Sequence, residues 1–125
     1  MKVLLVNLPS LGFSYERFAP NFKVAKKLID KGYKFDVILY NTHTVDCECC
    51  CDITGKLRNI FKGILIAVIS DGTECCYKSR QAGADNYVSI HDYDRHNIED
   101  IIHHELNRLE FQKTLKEYRA LALTT

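Results

Sequence analysis

What the chain lacks narrows it first. Neither sign of charge is in surplus: 17 Lys and Arg stand against 16 Asp and Glu, for a formal net charge of +1. Bulk electrostatics therefore draw it to neither nucleic acid nor a membrane surface, and no partner of either class is expected. No apolar run approaches the roughly 20 residues of a membrane-spanning helix. The run Val3-Leu4-Leu5-Val6 is too short for the core of an export signal and no cleavage site follows it. A cytoplasmic location is the expectation. With two prolines, no low-complexity linker and no internal repeat, no boundary divides the 125 residues, which suffice for one domain with a real core. Also missing are a nucleophile–base pair, a glycine-rich phosphate loop and paired carboxylates, so no enzyme is expected. Cysteine is what the chain has in number: six residues, read as reduced thiols in a cytosolic protein.

The apolar pattern supplies the architecture. Phe35-Asp36-Val37-Ile38-Leu39-Tyr40-Asn41 and Ile64-Leu65-Ile66-Ala67-Val68-Ile69-Ser70 are nearly continuous apolar runs, which suits strands covered on both faces. Lys2 to Asn7 reads as a first strand and Asn86 to Ile90 as a last one. Phe13 to Ala19 fits a short edge strand or a loop. Asn21 is a fitting N-cap for a helix with Phe22, Ala25, Leu28 and Ile29 on one face, stopped at Gly32. Further helices are expected within Cys49 to Phe61, over Glu74 to Gln81, and after Asp94 or Asn97. Strands alternating with helices make an α/β parallel sheet of four to five strands with helices on both faces. In such sheets chemistry sits just past the carboxyl ends of the strands, which puts Asn7, Asn41 and Ser70 in view.

From Ala19 to about Arg108 the sequence resembles a response-regulator receiver (CheY-like) domain. The strand that carries the phosphoacceptor in that family reads as an acidic residue, four apolar residues and an aspartate. Here it is Asp36-Val37-Ile38-Leu39-Tyr40-Asn41. Ser70 matches the Ser or Thr ending the next strand, and Ala82-Gly83-Ala84-Asp85-Asn86-Tyr87-Val88 is the most specific match. The resemblance implies a flavodoxin-like sheet. It also implies an acidic pair ending the first strand, where Asn7 and Leu8 stand, and a lysine three positions past Tyr87, where Ile90 stands. Too little chain separates Asn7 from Phe13 for the family's first helix, which is expected to be deleted or replaced by a loop.

The departures also read chemically. Phosphoryl transfer to a carboxylate needs that carboxylate, a divalent cation on hard oxygen ligands, and a cation facing the phosphoryl oxygens. Asn41 is an amide, Asn7 and Leu8 carry no charge, and Ile90 brings no cation. Asn7, Leu8, Asn41, Ser70 and Ile90 are thus the positions of a degenerate phosphorylation site in a pseudo-receiver. No cofactor is expected. A weaker N-terminal resemblance, over Met1 to Ser10 and Ala19-Pro20, is to cobalamin-binding domains. Asn41-Thr42-His43 echoes their Asp-x-His, but Asp46 stands where their glycine would be.

Two stretches remain. Asp46-Cys47-Glu48-Cys49-Cys50-Cys51-Asp52, with His43 nearby, offers thiolates for Zn²⁺ or Cu(I) in Cys47, Cys49, Cys50 and Cys51. The spacing is not that of a standard zinc site, and some of these thiols, with Cys75 and Cys76, suit buried small-hydrophobe positions instead. The last helical pattern runs on past residue 108, so the chain divides into a receiver-like domain, 1–108, and a helical extension, 109–125. Tyr87, Ile98, Leu109, Leu115 and Tyr118 are the candidate interaction face. The expected function is a phosphorylation-independent signalling module that binds a protein partner or output domain, or a second copy as a homodimer. The alternative is a small-ligand, metal or redox sensor using the strand-end pocket or the cysteines.

Overall fold

The computed structural model describes residues 1–43, 49–70 and 73–124; the side chains of 73–76 and 124 are left aside. Among the described residues, five strands and four α-helices follow in the order β1 (Val3–Val6), β2 (Glu16–Ala19), α1 (Phe22–Asp30), β3 (Val37–Asn41), α2 (Cys50–Ile60), β4 (Ile64–Ile69), α3 (Thr73–Ala82), β5 (Asn86–Ser89) and α4 (Arg95–Thr124). All neighbouring strands pair in parallel, in the order β2-β1-β3-β4-β5. β1, β3 and β4 are central, and their continuous burial is the reason their sequences show no polar alternation.

The two-residue period of a strand sorts these side chains into two cores. Leu4, Val6, Ile38, Tyr40, Leu65 and Ala67 point to the face covered by α1, α2 and α3, through residues such as Ala25, Ile53 and Leu57. Val3, Leu5, Val37, Leu39, Ile66 and Val68 point to the other, which Ile98 and Ile102 of α4 cover. The helix signals act as expected. Asn21 Oδ1 accepts from Val24 N at 3.0 Å, Gly32 takes the positive φ of 96° past the end of α1, and Asp94 Oδ1 accepts from Asn97 N at 2.8 Å to start α4.

The stretch 13–19 divides. Glu16–Ala19 is an edge strand on β1, while Phe13 lies in the connection. No helix intervenes between β1 and β2; residues 7–15 make the crossover alone, and the expected loss of the first helix is seen. Its place on the α4 side is taken by Leu8, Leu11 and Phe13, which pack on that core with Tyr93 and Ile101. The Glu16 carboxylate organises the loop: it accepts from Ser10 Oγ at 2.8 Å and from the N–H groups of Leu11 and Phe13, each at 3.0 Å. Two bonds tie the loop to the approach to α4, Tyr93 Oη to Pro9 O at 2.7 Å and Arg95 Nη1 to Gly12 O at 2.8 Å.

The Ala82–Val88 motif has a structural cause. Gly83 has φ 123°, and a Cβ there would come within 2.7 Å of the Arg58 side chain. Arg58 spans the gap below the sheet, donating to Phe61 O and Gly63 O at 2.7 Å and to Gly83 O at 3.1 Å. Asp85 Oδ2 meets Arg58 at 3.2 Å and accepts from Leu65 N at 2.9 Å. Arg108 reaches Asp85 Oδ1 at 3.4 Å and the buried Glu105 at 2.8 Å. The motif thus locks α2, β4, β5 and α4 together at the end of the sheet opposite the strand C-termini.

Candidate functional site

The carboxyl ends of β1, β3 and β4 bring Asn7, Asn41, His43 and Ser70 to one edge. Asn7 adopts φ 54°, a left-handed conformation that asparagine tolerates better than most residues. Its amide Nδ2 donates to His43 O at 3.1 Å, and Asn41 Oδ1 accepts from His43 N at 2.9 Å. The two amides therefore staple the segment after β3 to the end of β1. Asn7 contributes a donor and Asn41 an acceptor, both directed at backbone. Thr42, buried beside them, donates through Oγ1 to Val68 O at 3.4 Å.

The other two positions turn toward the α4-side core. The left-handed turn at Asn7 directs Leu8 inward, where it is 7% exposed in the α4-side core. Ile90, in the short 3₁₀ turn Ile90–Asp92 after β5, packs against the same core. Leu8 is buried and Ile90 half-buried, and neither carries charge. Ser70 is half-buried at the end of β4. This edge carries an open depression lined, among the described residues, by Asn7, Leu8, Pro9, Phe18, Ala19 and Pro20, none of them acidic. Asp36 lies at the other end of β3, where Oδ2 accepts from Lys2 N at 2.8 Å; its role is to fix the start of β1.

The cysteine cluster is partly visible. Cys47 lies outside the described residues, as do Asp46 and Glu48, and the side chains of Cys75 and Cys76 are likewise not described. Cys50 is 4% exposed and turned into the core, where its carbonyl accepts from Thr54 Oγ1 at 2.6 Å. Cys49 is exposed and Cys51 half-buried, with their Sγ atoms 2.7 Å apart. Cys50 thus faces away from its neighbours, so Cys49, Cys50 and Cys51 do not converge as one ligand set. Among the described residues no group of three or more His, Cys, Asp and Glu side chains is placed to hold a metal ion.

The candidate interaction face does not assemble as one surface. Ile98 is fully buried under the sheet and belongs to the core, because it lies on the stripe of α4 that meets β-strand side chains. Tyr87 is 39% exposed on the outer strand β5, with Arg80 over its ring. Leu109, Leu115 and Tyr118 are exposed on the part of α4 that leaves the sheet. At 3.6 residues per turn, Leu115 and Tyr118 lie about 120° and about 180° around the helix from Leu109. The inward line of Ile98, Ile102 and Leu109 continues as Gln112 and Lys116, both exposed, while the apolar character moves to the far side. Phe111 joins it there; sequence periodicity read over one helix missed that change of face.

No protein-family model matches the sequence, and no curated protein matches it. Solved structures do. The chain is similar to a CheY-like receiver domain protein from Methanospirillum hungatei JF-1, at TM-score 0.69 and 17% identity over 90% of this chain and 98% of that one. It is similar to the receiver domain of the TMAO respiratory system response regulator TorR, at TM-score 0.66 and 16% identity over 86% and 95%. A third is the N-terminal domain of a response regulator/sensory box/GGDEF 3-domain protein from Carboxydothermus hydrogenoformans, at TM-score 0.69 and 15% identity over 90% and 98%. Other similar chains are longer: this one spans 50% of a two-component response regulator/GGDEF domain protein. Among the described residues, no helix is long and apolar enough to cross a membrane. With five parallel strands in the order β2-β1-β3-β4-β5 and those neighbours, the chain has the fold of a response-regulator receiver domain.

Proposed function

We propose that the chain is a pseudo-receiver: a signal-transduction module that works without phosphorylation at the usual strand end and acts by binding protein. The observation that carries this reading is the fate of the degenerate positions. Leu8 and Ile90 serve the core, and the amides of Asn7 and Asn41 are engaged in holding the backbone of His43. Among the described residues, a phosphoryl group there would meet no carboxylate nucleophile and no charged pair to hold Mg²⁺.

The binding surface in this reading is the extension beyond residue 108, and the partner is a second copy of the chain. α4 has 30 residues, a length of about 45 Å, of which the sheet covers only the first part. Phe111, Leu115 and Tyr118 are 68%, 38% and 70% exposed at successive spacings of four and three residues. That alternation is the one by which two helices interlock side chains along a shared seam. Lys113, Lys116, Glu117 and Arg119 flank it. The division into a domain over 1–108 and an extension over 109–125 belongs to the same reading.

Light scattering on the reduced chain, with a Phe111→Ser/Tyr118→Ser variant alongside, tests it. A dimer that the double substitution converts to a folded monomer is expected; a wild-type monomer across the micromolar range refutes the homodimer. Incubation with acetyl phosphate and Mg²⁺ tests the other half. An acid-stable, hydroxylamine-labile phosphoprotein would end the pseudo-receiver reading.

A further inference from the structure

Three consecutive cysteines at the start of α2 are sorted by the helix into two kinds. Cys50 is packed in the core. Cys49, at the N-cap position with extended backbone (φ −151°, ψ 170°), and Cys51, in the first turn, bring their Sγ atoms to 2.7 Å without a disulfide. Cys49 is exposed, and its carbonyl accepts from the N–H groups of Asp52 at 3.1 Å and Ile53 at 3.3 Å at the start of the 11-residue α2. The Cys51 thiol and the Asp52 N–H hold the Cys49 thiol below its ordinary range, although the Asp52 carboxylate opposes this; contact with Cys49 pushes Cys51 up. Cys49 is the more exposed of the two and the one open to attack on an external disulfide, with Cys51 beside it to resolve the product.

We propose that Cys49 and Cys51 form a redox-active dithiol, oxidised to an intramolecular disulfide by a low-molecular-weight disulfide such as glutathione disulfide. The Cys49 thiolate attacks one sulfur of glutathione disulfide; that S–S bond breaks, a mixed disulfide forms on Cys49, and one glutathione leaves as thiolate. Cys51 then gives up its proton and attacks the Cys49 sulfur, and the second glutathione leaves. The two departing thiolates take up the two protons lost by the cysteines. Two cysteine thiols are oxidised by two electrons and one glutathione disulfide is reduced to two thiols. Ring closure fixes the first turn of α2, at the end of the sheet where β3 finishes. The step is independent of self-association on α4.

The test uses the full chain, reduced and then equilibrated in graded ratios of glutathione disulfide to glutathione. Samples are quenched in acid, alkylated with N-ethylmaleimide, weighed intact, and mapped over the fragment 35–56, which carries Cys47, Cys49, Cys50 and Cys51. A single disulfide joining Cys49 to Cys51 is expected, seen in wild type as four maleimide adducts where the fully reduced chain of six cysteines carries six, and as the same two thiols withheld in Cys47→Ser and Cys75→Ser/Cys76→Ser. Cys49→Ser abolishes it, and Cys51→Ser accumulates glutathione on Cys49. In the reduced wild type, exposed Cys49 alkylates faster than half-buried Cys51 at pH 7, a reporter that needs no substitution. A disulfide through Cys47, Cys50, Cys75 or Cys76, mixed disulfides that never close, or equal alkylation of Cys49 and Cys51 each overturns the proposal.

Discussion

Replacing Glu16 with alanine isolates the feature that lets this sheet dispense with its first crossover helix. Parallel neighbours are ordinarily joined by a dozen or more residues, most often including a helix. Here residues 7–15 suffice because one carboxylate collects Ser10 Oγ at 2.8 Å and the N–H groups of Leu11 and Phe13 at 3.0 Å. Bonds to a charged acceptor are each worth about 1.5–3 kcal/mol where water is excluded. This loop is only partly buried, so about 0.5–1 kcal/mol apiece is the appropriate scale. Glu16→Ala should therefore lower stability by about 2 kcal/mol, and the melting temperature by roughly 6–10 °C for a domain of this size. Ser10→Ala should cost a fraction of that and add almost nothing on top of Glu16→Ala, since both remove one network.

The same carboxylate sets a pH dependence. Burial would raise the Glu16 pKa, but bonds from Ser10 and from the N–H groups of Phe13, Leu11 and Gly12 outweigh it, and the folded-state value lies below the ordinary 4.5. A depressed folded-state value means a contribution that is complete above about pH 4.5 and lost as the pH falls through the folded-state value. Urea denaturation of wild type and Glu16→Gln at pH 7 and through that acid window measures both effects. Amide exchange at Leu11 and Phe13 reports the loop directly. A Glu16→Ala protein within about 0.5 kcal/mol of wild type, with unchanged exchange at those two amides, would refute the reasoning.

Gly83→Ala should destabilise by about 2 kcal/mol or more, because the backbone sits at φ 123° and the new Cβ would lie 2.7 Å from Arg58; chemical denaturation gives the value. Ile98→Ala should cost about 2–5 kcal/mol in the same assay while leaving self-association of the folded chain intact, as befits a core position and not a contact surface. Asn41→Asp alone should yield no phosphoprotein with acetyl phosphate and Mg²⁺, since Leu8 and Ile90 remain in the core; an acyl phosphate on the new aspartate would show that those two burials do not disable the site.

Some of this chain could be read residue by residue. The runs Val37–Tyr40 and Ile64–Ile69 needed only their unbroken apolarity to announce strands covered on both sides, because no solvent-facing position interrupts them. Asn21 and Gly32 marked the ends of α1 because capping is local: a side chain three residues from its partner, and a left-handed φ beside the last turn. Asn41, Leu8 and Ile90 likewise show by residue type alone that these three positions carry no charge. The 13–19 region was legible only in half, since Glu16–Ala19 is an edge strand whose period is weak and whose pairing depends on β1.

What the sequence determined, then, is whatever depends on residue type or on neighbours within one or two turns: the α/β alternation, the helix ends, and an amide at the end of β3. Tertiary structure decided the rest. It drew Leu8 and Ile90 into the core, set Glu16 under a loop in place of a helix, and joined Arg58 to Asp85 and Asp85 to Arg108. It turned Cys50 inward and left Cys49 against Cys51, and it buried Ile98 while exposing Leu115 and Tyr118 on another side of the same helix. These outcomes turn on which elements lie side by side. A buried contact joins residues whose separation along the chain is unrelated to their separation in space, and composition and period carry no record of that pairing.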